Sequence, residues 1–127
     1  MCQEPVVSKI EYWFLFCPRY RRKIFSDEKA CSIFKSSAKA SLASLGLSLH
    51  ELIFHDDHIL MRVSGSALIA PADIVFKVKK DTAAEMRKQV AFLEDVKSIW
   101  TKNSYISTIK PSGKEIEEYR SAQKRRN

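Results

Sequence analysis

The sequence predicts one α+β domain built on a four-stranded antiparallel sheet with helices on one face and a C-terminal helix. Apolar residues alternate along the segment from His58 to Val63, as in a strand, and they recur at helical spacing from Ala30 to Leu45. The length of 127 residues suits a single compact domain, so residues 1–127 are treated as one unit. No apolar run has transmembrane length, so no membrane partner is expected.

The first predicted strand, Ile10 to Cys17, is apolar on both faces, which is typical of a central strand, and Pro18 ends it. A basic run with one aromatic ring follows, and its members are Arg19, Tyr20, Arg21, Arg22 and Lys23. Charge runs are commonly solvated loops. However, cations for phosphates and rings for bases also suit single-stranded nucleic acid. The net charge of +7 indicates a polyanionic partner without identifying it.

Two helices are expected on one face of the sheet. Ser26 is a candidate N-cap for the first helix, which Gly46 stops. Pro71 opens the second helix. The basic side chains of the second helix are Lys77, Lys79, Lys80, Arg87 and Lys88. They either line a groove or are solvated, as lysines on helices commonly are. The segment from Val90 to Asn103 has helical spacing, and it predicts either a short helix or a packed loop.

A hairpin is predicted between the second strand, Leu47 to Phe54, and a third strand that begins at His58. Asp56 and Asp57 lie between the two strands and favour a turn. Alternation along the third strand directs one apolar set to the core and leaves His58 and Leu60 on the opposite face. A second metal-binding side chain at position 60 would complete a pair with His58, but the sequence has leucine there.

The last strand is predicted from Tyr105 to Ile109. Ser112 and Glu115 then have the spacing of a capping box that begins a final helix. The complete order is strand, helix, strand, strand, helix, strand, helix. This order is typical of the ferredoxin-like split βαβ arrangement with an added C-terminal helix.

Tyr119 and Gln123 are four residues apart, so they share one face of the final helix. Tyr119 either anchors this polar helix by packing with Ile116 or acts as a nucleophile. A tyrosine hydroxyl can attack a phosphodiester to form a phosphotyrosine, but the reaction needs assistance. A divalent cation held by His58 and the Gln123 amide oxygen would supply it.

Four segments, taken in order, resemble the single-tyrosine HUH transposases of small bacterial insertion sequences, the TnpA type of the IS200-like family. They are residues 12–23, with an opening strand and a Tyr-Arg-Arg signature, residues 57–60, residues 100–108, and residues 119–123, with a Tyr-x-x-x-Gln helix. The resemblance implies a ferredoxin-like homodimer that binds hairpins in single-stranded DNA. It also implies a divalent metal, Mg²⁺ or Mn²⁺.

By the same resemblance, Tyr119 is the catalytic nucleophile. It would keep the 5′ end of the DNA as a phosphotyrosine and release a 3′ hydroxyl. His58 and Gln123 would be the metal ligands. The basic run from Arg19 to Lys23 would contact the DNA. If the chain is an enzyme, it is a metal-dependent transposase that cleaves and joins DNA strands.

Leu60 stands where the family has its second histidine, and leucine cannot coordinate a cation. We therefore expect an impaired site in which metal is weakly held. Asp56 or His55 is a candidate substitute ligand. Alternatively, the chain is a slow, strongly metal-dependent enzyme, or an inactive descendant that binds hairpin DNA or RNA without cleaving it.

The three cysteines, Cys2, Cys17 and Cys31, follow neither zinc nor disulfide spacing. They are interpreted as reduced thiols of a cytoplasmic protein. With only three glycines, the sequence cannot form a glycine-rich phosphate loop.

Overall fold

A computed structural model describes residues 9–19 and 23–126 of the chain, with side chains described as far as Gln123. The strands are β1 (Glu11–Phe16), β2 (Leu49–His55), β3 (His58–Ser64) and β4 (Tyr105–Ser107). The helices are α1 (Glu28–Ser44), α2 (Pro71–Gln89) and α3 (Gly113–Arg126). This element order is the predicted one, and none of the described helices is both long and apolar enough to cross a membrane.

The four strands form one sheet in the order β2-β3-β1-β4, and every neighbouring pair is antiparallel. The predicted fold class is therefore confirmed. β1 and β3 are central, which explains why β1 is apolar on both faces. Leu15 lies opposite Leu60 in the register of these two strands, and Phe14 lies opposite Met61.

The two faces of the sheet bury different apolar sets. On one face, α1 and α2 cover the main core, which contains Phe14, Phe34 and Met61. On the other face, Trp13, Leu15 and Leu60 form a smaller cluster, against which Ile116 and Tyr119 of α3 pack. We call it the α3 cluster. The predicted alternation along β3 is thus confirmed, and α3 covers the face that carries position 60.

Helix ends follow short-range side-chain chemistry. Ser112 and Glu115 form the predicted capping box, with Glu115 N–H donating to Ser112 Oγ at 3.2 Å and Ser112 N–H donating to Glu115 Oε1 at 2.9 Å. The prediction of Ser26 as the first cap is wrong, because Asp27 Oδ2 accepts from the N–H of Ala30 at 2.9 Å. Ser26 instead belongs to a 3-10 turn that precedes α1, and its hydroxyl donates to a backbone carbonyl within that turn.

Several strand boundaries differ from the predicted ones by one or two residues. β2 begins at Leu49 instead of Leu47, and β4 ends at Ser107 instead of Ile109. The N–H of Ile109 donates to Ser107 Oγ at 3.1 Å, and this local bond turns the chain out of the sheet. Between Val90 and Asn103 the chain has only a 3-10 turn at Ala91–Leu93, so this segment is the packed loop of the two alternatives.

Candidate nucleic-acid and metal site

The site predicted from the sequence lies under α3, on the face of the sheet opposite α1 and α2. Three of the contacts that hold α3 there concern the predicted site. Ile116 and Tyr119 pack on the α3 cluster, the Tyr119 hydroxyl donates to the backbone carbonyl of Asn103 at 2.9 Å, and an Arg120 amine donates to Asp57 Oδ2 at 2.8 Å. Because Asp57 belongs to the turn between β2 and β3, the third contact brings α3 next to His58.

His58 is the first residue of β3 and is 6% exposed. Its Nδ1 lies 3.0 Å from Asp57 Oδ1. Burial lowers the pKa of the imidazole, and the hydrogen bond to Asp57 opposes this change without reversing it. The ring is therefore neutral at pH 7. When Nδ1–H donates to Asp57, the lone pair of Nε2 remains for another ligand, and metal-binding histidines are commonly oriented by a carboxylate in this way.

Asp57 is 8% exposed and joins His58 to α3. One carboxylate oxygen contacts the imidazole, and the other accepts from Arg120. The hydrogen bond to Asp57 raises the pKa of the Arg120 guanidinium, which stays charged. Arg120 was not among the predicted site residues, although it directly follows Tyr119. Its place in the sequence does not reveal a partner that is 63 residues away.

Leu60 is 2% exposed and lies at the centre of the α3 cluster. The other members of that cluster are Trp13 and Leu15 of β1, and Tyr119 is among the residues that pack against it. Position 60 therefore provides apolar packing for the helix that carries Tyr119. An apolar side chain there stabilises the packing of α3 on the sheet and offers no lone pair to a metal.

The predicted substitute ligands, His55 and Asp56, do not complete the site in this arrangement. The rings of His55 and His58 are stacked, with centroids 4.2 Å apart and planes 11° from parallel. Imidazole lone pairs lie in the ring plane, so those of two parallel rings do not converge on one cation. Asp56 is exposed, and its backbone carbonyl accepts from the N–H of Phe25 at 3.3 Å.

The donor set does not fit a firmly held divalent cation. Within residues 9–19 and 23–126, no three His, Cys, Asp or Glu side chains come close enough to hold a metal. Mg²⁺ is commonly bound through carboxylates together with substrate phosphates. Asp57, the carboxylate beside His58, is already paired with Arg120. His58 has a hydrogen bond to Asp57 that suits a metal ligand, but the described residues around it do not supply enough further donors.

Tyr119 is half-buried, and its hydroxyl is a hydrogen-bond donor to a backbone carbonyl. Its ring meets that of Tyr105 edge to face, with centroids 6.4 Å apart. Gln123 follows one helical turn later and is 3% exposed. The structure thus places Tyr119 and Gln123 on the side of α3 that faces the sheet, which is the side on which His58 lies.

The basic run is described only at its two ends. Arg19 is half-buried and its backbone N–H donates to the carbonyl of Ile99 at 2.7 Å, whereas Lys23 is exposed. Tyr20, Arg21 and Arg22 lie outside the described residues. Their expected role in DNA binding therefore stays a prediction.

Comparison with known proteins gives the chain a family. Residues 6–123 match the family described as "Transposase IS200 like". No curated protein matches the chain by sequence. A solved structure from Deinococcus radiodurans, described as a "putative transposase", is 20% identical with a TM-score of 0.84, and the match covers 97% of each chain.

A second solved structure is a REP-associated tyrosine transposase bound to a REP hairpin. It is 10% identical to this chain with a TM-score of 0.60, and the match covers 96% of this chain and 67% of that one. At these identities both structures support the fold alone. Because the family match extends over most of the sequence, the chain belongs to the IS200-like transposase family.

Proposed function

We propose that this protein binds hairpins in single-stranded DNA and that the site under α3, as arranged here, is not prepared for efficient strand cleavage. Membership of a transposase family and the net charge of +7 support the binding. The similar REP-associated transposase was solved with a hairpin, which suggests the kind of DNA to test. We also infer a homodimer, on the resemblance to TnpA-type proteins.

One observation carries the second half of the proposal, which is the burial of Leu60 in the α3 cluster. If position 60 were simply a vacant ligand position, its side chain would be exposed or would line an open pocket. Instead, Leu60 is 2% exposed and contributes to the surface on which Tyr119 packs. Leucine at position 60 thus lacks a metal-binding atom and also helps to hold the helix that carries the candidate nucleophile.

A second candidate function is slow, tyrosine-dependent cleavage. It is favoured because Arg120, the residue after Tyr119, binds the same Asp57 carboxylate that contacts His58. In that reaction the Tyr119 oxygen forms a bond to phosphorus and the bond to the 3′ oxygen breaks. The phenolic proton leaves, and the 3′ oxygen gains a proton. In the present arrangement the hydroxyl donates to the carbonyl of Asn103, which is not a general base, so this hydrogen bond must break before the attack.

The test is a hairpin oligonucleotide assay on four proteins, namely the parent, Leu60→His, Tyr119→Phe and the double variant. Binding is measured by fluorescence anisotropy, with a DNA hairpin and an RNA hairpin of the same sequence. Cleavage is measured as a covalent protein–DNA band in Mg²⁺ and in Mn²⁺. We expect all four proteins to bind the DNA hairpin, and we expect the parent to form little or no adduct in Mg²⁺.

Mn²⁺ accepts nitrogen donors more readily than Mg²⁺, so the covalent band should first become visible with Leu60→His in Mn²⁺. The double variant is the matched control, because it has the added imidazole without the nucleophile and should give no band. A strong band from the parent in Mg²⁺ would contradict the proposal and favour the second candidate. Equal affinity for the RNA hairpin would show that the protein is not selective for DNA.

A further inference from the structure

A groove lies between α2 and the segment of residues 97–106, on the side of the molecule that the site under α3 does not use. Its volume is about 670 Å³, which is within the range of small-ligand pockets, about 300–1,000 Å³. Val75, Ala83, Trp100 and Ile106 contribute apolar lining, and the ring of Phe76 is 68% exposed at its edge. We call this feature the α2 groove.

Hydrogen bonds from α2 to the opposite wall fix the two walls of the groove relative to one another. Lys79 Nζ donates to the carbonyls of Thr101 and Asn103, at 2.7 and 3.1 Å, and to Ser104 Oγ at 3.0 Å. About two helical turns after Lys79, Arg87 donates to the carbonyls of residues 96 and 97, each at 2.7 Å. The groove is therefore preformed, and a ligand does not have to order its walls.

All of the charged residues that line the α2 groove are basic. Five of the lining residues are Lys or Arg, and none is Asp or Glu. Lys79 and Arg87 are bonded to the wall, which leaves Lys80, Lys97 and Lys102 as exposed cations on the rim. The sequence left open whether the basic side chains of α2 line a groove or are solvated. Lys79, Lys80 and Arg87 do line one.

We propose that the α2 groove binds unpaired nucleotides that flank the DNA hairpin. This inference rests on the proposed hairpin binding. Exposed aromatic and apolar surface for bases, together with a rim of cations for phosphates, is the combination that single-stranded nucleic acid requires. An acidic peptide would match the charge, but it would not use the exposed ring of Phe76.

The position of the groove also relates it to the candidate nucleophile. The carbonyl of Asn103 accepts from Lys79 on the groove side and from the Tyr119 hydroxyl on the other side, at 3.1 and 2.9 Å. The short segment around Asn103 thus forms part of the groove wall and also binds the Tyr119 hydroxyl. A strand held in the groove would lie next to the segment that positions Tyr119.

The experiment compares two DNA probes, a blunt hairpin and the same hairpin with a short single-stranded tail. Anisotropy titrations at several salt concentrations use the parent and Lys97→Gln/Lys102→Gln. The matched control is Lys35→Gln/Lys39→Gln, which removes the same charge from exposed positions on α1 beside β2, the opposite edge of the sheet. We expect the tail to strengthen binding by the parent and by the control, and we expect the groove variant to lose this gain.

Two quantities sharpen the expectation. Loss of two phosphate contacts should reduce the salt slope for the tailed probe by about 1.4, at about 0.7 for each contact to a single strand. Phe76→Ala should weaken binding of the tailed probe by about fivefold or more, which is the loss expected for one stacked base. Phe76→Tyr keeps the ring and should bind like the parent. Since Phe76 is 68% exposed, neither change should alter folding.

The outcomes separate this inference from the proposed function. If no protein binds the blunt hairpin, the proposed function fails. If the blunt hairpin binds but the tail adds nothing, or its gain survives in the groove variant, the inference alone is overturned. It is also overturned if polyglutamate displaces the tailed probe as well as a single-stranded oligonucleotide does. A change of oligomeric state in Phe76→Ala, with unchanged tail binding, would assign the groove to contact between subunits.

Discussion

Leu60→His tests whether position 60 stabilises the fold by packing and whether a histidine there restores metal binding. Leu60 is 2% exposed, so its removal forfeits most of the transfer free energy of a buried leucine, about 1.5–3 kcal/mol. The imidazole keeps part of the volume but places a polar ring among Trp13, Leu15 and Tyr119. Without metal, we expect the free energy of unfolding to fall by about 2–4 kcal/mol.

Metal should reverse much of this loss if the new imidazole and His58 act together. Mn²⁺ at about 100 times its dissociation constant would stabilise the folded state by about 2.7 kcal/mol. The assay is urea unfolding followed by tryptophan fluorescence at pH 7.5, with Mn²⁺ or with a chelator. The parent should show little difference between the two conditions, and Leu60→His should show a clear one.

The matched control is Leu60→His combined with His58→Phe, which keeps the buried imidazole at position 60 but replaces its neighbour on the strand with a ring that cannot bind metal. This double variant should be destabilised and should not recover in Mn²⁺. Two results would refute the reasoning. One is a Leu60→His protein as stable as the parent in chelator, because position 60 would then not be a packing position. The other is equal stabilisation of the single and double variants by Mn²⁺.

Further predictions follow from single contacts. Tyr119→Phe should cost only about 0.5 kcal/mol by urea unfolding, because the carbonyl that it leaves still accepts from Lys79, and hairpin affinity should not change. The folded state lowers the pKa of His58, so the unfolded chain takes up the proton first, and stability should fall as the pH drops below about 6.5. Burial is the main cause of that lowering and the charge of Arg120 the smallest, so the decline should be only slightly shallower in Arg120→Gln, as a pH series of urea midpoints will show. Neutralising Arg21 and Arg22 should reduce the salt slope of hairpin binding by about 0.7 for each lost contact, and an unchanged slope would make the run a solvated loop. Light scattering at micromolar concentration should give a dimer, and a monomer would count against the homodimer.

Much of the fold followed from short-range patterns in the sequence. The alternation from His58 to Val63, the Ser112–Glu115 capping box and the proline that opens α2 each depend on neighbours within a few residues. Such patterns predict the order of elements and which face of a strand is buried, because side-chain period and cap chemistry are local properties. The choice of Asp27 over Ser26 as a cap was missed because the preceding turn occupies Ser26.

The candidate site could be predicted only as a set of residue types. The sequence pointed to His58, Tyr119 and Gln123 and to the missing donor at position 60. The tertiary structure alone decided that Leu60 packs under α3, that Arg120 occupies Asp57, and that one carbonyl of Asn103 serves both Tyr119 and Lys79. These contacts join residues from 16 to 63 positions apart. No local period or cap encodes such pairs, because they form only when α3 is laid across the sheet.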